Sequence, residues 1–216
     1  MSAPPKLHEG DRLLIATHNK GKLQEFRELF EPYGLEIVSA GELGLPEPEE
    51  TGTTFVENAR IKAHAAADAS GLLALSDDSG LCVDALGGKP GVYTANWAGP
   101  QRDFDLGMRR VEDALQAANA TSPAQRHAFF MATFCLAEPE GRDWIFEGRI
   151  DGMIVWPPRG ERGHGFDPVF IPEGYDITFG QMPAEMKHSW APGEEGLSHR
   201  ARAFAKFTAA VLGDAA

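Results

Sequence analysis

Apolar positions along this chain fall into two periodicities, short strand-like runs and stripes spaced for a helix. Arg12-Leu-Leu-Ile-Ala16 reads as a first strand, and residues 21–33 as a helix with Leu23, Phe26, Leu29 and Phe30 on one face. Residues 35–39 form a second short strand, and the acidic, proline-containing stretch 41–52 reads as a loop. Thr54-Phe-Val-Glu57 is a capping-box pattern that opens a helix to about Ser70, with Val56, Ala59, Ala63 and Ala66 as its buried stripe. Residues 72–75 and 81–83 read as strands on either side of an acidic turn. After the loop Gly87-Gly-Lys-Pro-Gly91 come a helix over 104–118 and a hairpin of 129–136 with 144–150 around Pro139-Glu-Gly141. A glycine-rich loop, 157–165, precedes a short strand at 169–171, and a helix over 197–212 closes the chain. Helices and strands interleave and a hairpin enters late, which predicts an α/β fold with a mixed sheet. Residues 1–11 read as a loose N-terminal extension.

Composition narrows the classes. The chain has 216 residues, 43% hydrophobic and 24% charged, as expected of a globular protein. It contains no apolar run near the roughly 18 residues a membrane span needs. Met1-Ser-Ala-Pro-Pro-Lys6 lacks the apolar core of a signal peptide, so a cytoplasmic location is expected. Net charge is −12, which argues against a general nucleic-acid or membrane binder. A small polyanion remains compatible if a few cations gather in one place. Cys82 and Cys135 both fall in apolar runs and read as buried thiols rather than a disulfide or a metal pair.

Leu75-Ser-Asp-Asp-Ser-Gly-Leu-Cys-Val83 carries the densest chemistry. Asp77 and Asp78 follow an apolar run, where a strand ends at a sheet edge, and ligands of open α/β sheets bind at such edges. Adjacent acids repel, so holding them together requires a cation, a proton or a strong donor. The alternative is a solvated turn, since Asp, Ser and Gly are ordinary turn formers.

Four further segments can carry chemistry. Ala16-Thr-His-Asn-Lys-Gly-Lys22 joins a strand to a helix and offers backbone amides, Thr17, Asn19 and two lysines to a phosphate, although it is not a Walker loop. Glu50 sits in a loop with reach to a metal, Glu57 is explained by capping, and Lys62 lies one turn beyond Asn58. Phe166, in the glycine-flanked turn Gly163-His-Gly-Phe-Asp-Pro-Val-Phe170, either stacks on a planar ligand or tucks into the core. Lys187 and Ser198-His-Arg200 bring donors to a helix start in an acidic protein. Taken singly, each of these also reads as a surface or capping residue.

Six motifs occur together and in order: Thr17-x-Asn-x-x-Lys22, Thr54-Phe-x-Glu-Asn-Ala59, Asp77-Asp-Ser-Gly-Leu81, Leu86-Gly-Gly-x-Pro-Gly-Val-Tyr-x-Ala95, Gly165-Phe-Asp-Pro-Val-Phe170 and Ser198-His-Arg200. The set closely resembles the inosine triphosphate pyrophosphatase family, the house-cleaning dITP/XTP pyrophosphatases, over roughly residues 12–210. The resemblance implies one two-lobed domain, a mixed, curved central sheet flanked by helices with a cleft between the lobes, usually in a homodimer. It implies Mg²⁺-dependent hydrolysis of non-canonical purine nucleoside triphosphates to the monophosphate and pyrophosphate. By the same resemblance Thr17, His18, Asn19, Lys20, Gly21 and Lys22 hold phosphate, Asp78 with Lys62 is catalytic, and Glu50 and Asp78 hold the metal. Ser79 corresponds to a substrate contact, and His164, Gly165, Phe166, Asp167, Lys187, His199 and Arg200 correspond to contacts on the base and sugar side.

Two departures stand out. Lys187 and His199 are separated by a longer segment than the family commonly has, and His18 stands where glycine or asparagine is common. The segment 188–197, with Trp190 as its one large apolar residue, is expected to act as a lid beside the base pocket. The expected chemistry is consistent with the residues: lysines and a dication neutralise a triphosphate, and donors such as His199, Arg200 and Lys187 suit a 6-oxo purine and leave adenine unpaired. Asp78-Ser-Gly80 also matches aspartic proteases, which need a second such aspartate that this chain lacks. A non-catalytic nucleotide-binding module and a pyrophosphatase acting on canonical or modified pyrimidine nucleotides are the other competing readings.

Overall fold

The computed structural model describes residues 3–139, 141–188 and 196–212. Six strands form one sheet in the order β2-β1-β3-β4-β5-β6. They are β1 (Arg12–Ile15), β2 (Glu36–Ser39), β3 (Ala74–Val83), β4 (His127–Ala137), β5 (Asp143–Ile154) and β6 (Phe170–Pro172). The helices are α1 (Lys20–Phe30), α2 (Phe55–Ser70), α3 (Thr94–Trp97), α4 (Phe104–Ala117), α5 (Ala184–His188) and α6 (His199–Val211). β1 pairs in parallel with both β2 and β3, whereas β5 and β6 are antiparallel, so the sheet is mixed as the interleaving predicts.

The chain divides into two compact units. The first comprises residues 1–78, 133–147 and 203–216, the second residues 79–132 and 148–202, and β3, β4 and β5 each run through both. In the first unit the alanines of α2 (Ala59, Ala63, Ala66 and Ala67) pack on Leu14 and Ala74, small side chains that let helix and strand approach closely. A phenylalanine cluster forms its other core, with Phe26 on Phe134 at 5.6 Å and Phe30 on Phe204 at 5.2 Å between ring centroids. Leu7, within the expected N-terminal extension, is buried and its N–H donates to Val211 O at 2.9 Å. The second unit is built on Met108, Val111 and Leu115 of α4 against Phe130, Ile150, Phe166, Phe170 and Phe179.

Local signals account for the element ends. Asn19 caps α1, its side chain accepting from Gly21 N (2.9 Å) and Lys22 N (3.2 Å). The expected capping box of α2 is formed, Thr54 and Glu57 each bonding the other's backbone N–H, and Gly71 ends the helix in the left-handed conformation.

One expectation is corrected. Residues 72–75 and 81–83 are not two strands about an acidic turn, because β3 runs unbroken from Ala74 to Val83 through Asp77, Asp78, Ser79 and Gly80. Turn-forming composition is overridden here by side-chain partners that hold both acids in an extended, almost wholly buried strand.

Candidate active site

In the first unit the geometry follows from strand alternation. β1 lies between β2 and β3, so the right-handed crossovers β1-α1-β2 and β2-α2-β3 run in opposite directions and set α1 and α2 on opposite faces of the sheet. Successive β3 side chains point to opposite faces. Ser76 accordingly donates to Ala59 O of α2 at 2.6 Å. Two residues on, Asp78 Oδ1 lies 3.1 Å from Lys62 Nζ of the same helix. Asp77 points the other way, and its fully buried carboxylate pairs with Lys22 of α1 at 2.9 Å. The two neighbouring acids are thus separated by the sheet, each with its own lysine.

The parallel register then brings the expected phosphate segment alongside. Ile15 pairs with Leu75, so the turn Thr17–Lys22 leaves the carboxyl end of β1 level with Asp77 while β3 continues onward. Thr17 Oγ1 accepts from Asn19 N at 3.1 Å, and Lys20 is exposed in the first turn of α1 beside Gly21. His18 turns away from this row, with Nε2 2.7 Å from Leu45 O.

Lys62 is the hub of the acidic cluster. Its Nζ lies 2.8 Å from Glu50 Oε1 and also donates to Asp77 O at 3.0 Å. Burial works against the Lys62 ammonium, but Asp78, Glu50 and Asp77 hold its pKa above the usual lysine value. The Asp78 carboxyl is held above the usual aspartate value, first by burial, with Glu50 and Asp77 adding to the rise and Lys62 opposing it. A simple ion pair would lower Asp78, so desolvation and crowded negative charge outweigh the single lysine. Asp78 Oδ2 is buried and has no hydrogen-bond partner among the described residues. Such an acceptor suits a hard cation or its water. The described residues contain no group of three or more metal-ligating side chains. Mg²⁺ does not need one, since one or two carboxylates plus substrate phosphate commonly suffice.

In the second unit Arg200 donates to Ser79 Oγ at 3.4 Å. The His199 ring stacks on Phe130 with centroids 5.0 Å apart, and Ser198 Oγ accepts from Ala201 N in the first turn of α6. Lys187 is 3% exposed and its Nζ lies 2.9 Å from Asp167 Oδ2, which also accepts from His164 N at 3.2 Å. Gly163 has φ 76°, in the left-handed region that favours glycine, and a Cβ there would also crowd that carboxylate and the Lys187 ammonium. Of the two readings of Phe166 the structure shows the core one: it is 2% exposed, edge-on to Phe104, and its Cζ would lie 3.0 Å from a Cβ at Gly107. The reason is the left-handed Gly165, which turns the chain so that Phe166 enters the core and His164 stays exposed. The lid expected of residues 188–197 falls largely on 189–195, including Trp190, outside the described residues. Its two ends are tied, Ser198 N donating to Lys187 O at 3.1 Å.

Motif reading missed two residues that shape the first cluster. Asp77 was seen only as a neighbour of Asp78, and its pairing with Lys22 follows from period-2 alternation once β3 is continuous. Asn58 is buried, and its Oδ1 accepts from Gly52 N at 2.8 Å, anchoring the segment that carries Glu50. A Cβ at Gly52 would lie 2.5 Å from that oxygen, so a glycine six residues before a buried asparagine was the available signal.

An open mixed α/β sheet with lysine-bridged carboxylates beside a strand-to-helix turn is an arrangement suited to a phosphorylated ligand. The chain belongs to the Ham1 family, whose profile matches residues 13–210. It is 59% identical over 208 residues to the dITP/XTP pyrophosphatase of Mesorhizobium japonicum, covering 94% of each chain. It is 56% identical over 211 residues to that of Brucella melitensis, covering 96% of each. Among solved structures, a HAM1 protein from Coxiella burnetii matches with a TM-score of 0.83 at 34% identity, covering 92% of this chain and 97% of that one.

Proposed function

We propose that this protein hydrolyses non-canonical purine nucleoside triphosphates (ITP, dITP and XTP) to the monophosphate and pyrophosphate, removing them from the nucleotide pool. The observation that carries this reading is the Lys62 ammonium shared between Glu50 and Asp78, beside a buried Asp78 oxygen with no hydrogen-bond partner among the described residues. The names of the relatives support the substrate class.

In this reading water attacks the α-phosphorus, a P–O bond forms to the water oxygen, and the bond to the bridging oxygen breaks. The electron pair of that bond leaves with pyrophosphate. Asp78 accepts the proton of the water or orients it, and a raised pKa suits that task near neutral pH. Lys62 and Lys22 hold the two acids in place, and Lys20, exposed at the start of α1, faces phosphate oxygens with the positive end of that helix behind it. The donors fit Mg²⁺, which Glu50 and Asp78 would hold and which supplies charge neutralisation on the phosphates. His199 and Arg200 donate to the 6-oxo group of the purine, and adenine would leave them unpaired. Lys187, engaged by Asp167, acts on the base side through the His164 turn.

On the family resemblance we further propose a homodimer working in the cytoplasm. No described helix is long and apolar enough to cross a membrane. Release of pyrophosphate from ITP, XTP, ATP, GTP and a modified UTP, each with Mg²⁺ and with EDTA, tests the reading. Metal-dependent preference for ITP and XTP supports it, equal rates on ATP overturn the specificity, and Mg²⁺-improved binding without turnover would leave a nucleotide-binding module.

A further inference from the structure

The segment that carries Glu50 has no secondary structure and is mostly exposed over residues 46–51. Besides the Glu50 pair with Lys62 at 2.8 Å, its described anchors lie at its two ends. At the far end Gly52 N donates to Asn58 Oδ1. At the near end the chain is laced to the turn after β1: Ala40 N donates to Ile15 O at 3.0 Å, Gly41 N to Thr17 O at 3.2 Å and Leu45 N to Ala40 O at 3.0 Å. Within the near end Glu42 accepts from Ser39 N at 3.0 Å and from Arg27 at 2.7 Å, and the side-chain bond that joins the turn after β1 to this stretch is His18 Nε2 to Leu45 O at 2.7 Å. A carbonyl only accepts, so Nε2 carries the hydrogen. The His18 backbone and ring also lie against Gly41, where a Cβ would come within 3.4 Å of His18 Cα and 3.7 Å of Cδ2. From Leu45 onward Pro46 and Pro48 stiffen the chain, so the direction taken at Leu45 is carried into Glu50.

We infer that His18 is a positioning residue for Glu50, tying the phosphate-side turn to the segment that presents this carboxylate. It acts through the Leu45 carbonyl and not as a phosphate ligand. The inference rests on the reading of Glu50 as a metal carboxylate. It has a physical consequence: the His18 side chain adds to the backbone bond from Gly41 N to Thr17 O a second link between the two loops, so ordering of the 17–22 turn and presentation of Glu50 rise and fall together.

The test uses His18→Ala, His18→Asn and His18→Gln, with Glu50→Gln in parallel. Glutamine puts an amide N–H where Nε2 stood and asparagine does not reach that position. Two readouts are taken: backbone amide exchange over residues 41–52 in the metal-free protein, and affinity for Mn²⁺ with inorganic pyrophosphate present, read from the free-ion paramagnetic resonance signal. The alanine and asparagine variants should exchange faster over 41–52 and bind Mn²⁺ about 2- to 10-fold more weakly, the range one hydrogen bond is worth. The glutamine variant should restore both. Unchanged exchange in His18→Ala overturns the inference. So does faster exchange with unchanged metal affinity while Glu50→Gln weakens binding, which leaves His18 a purely structural brace. If Glu50→Gln also leaves metal affinity unchanged, the reading of Glu50 is at fault and the inference falls with it.

Discussion

Lys62 Nζ stands 3.1 Å from Asp78 Oδ1, yet the carboxyl of that pair is harder to ionise than a free aspartate. Burial and the neighbouring acids Glu50 and Asp77 exceed what one shared ammonium returns, so the charged form of Asp78 is held at a cost in folding free energy.

Asp78→Asn should therefore remove activity and leave the fold as stable or stabler. Loss of a catalytic base or metal ligand is worth about 10²-fold or more in kcat, so residual turnover above about a tenth of wild type contradicts the role. A folded pKa above the unfolded one means the contribution of Asp78 is present below the unfolded value and lost as pH rises through the folded value. At neutral pH the variant escapes that loss. Its Tm in EDTA should equal or exceed wild type, each 1 kcal/mol appearing as about 2–4 °C in a chain of this size. A lower Tm would show that the ionised carboxylate is a net stabiliser.

Glu50→Gln should shift the Mg²⁺ dependence of turnover to higher concentration and leave nucleotide binding in EDTA nearly unchanged. Glu50 is about two-fifths exposed and tied to Lys62, so its loss should not unfold the protein. A Mg²⁺ titration superimposable on wild type would mark it as a surface acid.

Arg200→Ala should reduce the preference for ITP over ATP, with the loss falling on ITP. Arg200 reaches Ser79 Oγ in this structure, and a charged hydrogen bond to a ligand is worth about 1.5–3 kcal/mol. The ratio of kcat/KM values decides: an equal fall for both nucleotides moves Arg200 from base recognition to phosphate binding.

Cys82 and Cys135 should resist alkylation at pH 8 in the folded protein and react once it is denatured. Both are buried free thiols, and burial pushes their pKa up to about 11 and about 12. Stoichiometric labelling under native conditions would mean the strands that hold them open readily.

Asp143 should contribute stability that disappears on acidification. Burial alone would raise its pKa, but hydrogen bonds from His64 (3.0 Å) and Arg60 (3.1 Å) overcome that and hold it below the usual value. A depressed folded pKa gives stability that is present above the unfolded value and lost as pH falls through the folded one. Melting of wild type and Asp143→Asn should differ at pH 7, and the gap should close below about pH 4, the ordinary aspartate range. A gap unchanged at pH 3 would assign the effect to packing.

What the sequence determined by itself was whatever depends on near neighbours along the chain. Helix stripes, the capping box of Thr54 and Glu57, the cap at Asn19 and the buried character of both cysteines were legible because their causes lie within a few residues. The motif order, which carries family membership, was legible for the same reason. Tertiary structure alone decided the rest. Asp77 and Asp78 form a continuous strand rather than a turn because lysines 55 and 16 residues away in the chain neutralise them from opposite sheet faces. Phe166 went to the core and His164 to the surface because a left-handed glycine reversed the turn, a choice composition cannot register. Lys187, read as a donor toward the base, is held by Asp167, and His18 is held by Leu45 O. Each of these depends on burial and on a partner distant in sequence, and the strength of a charge or hydrogen bond is set by that environment and not by the residue type.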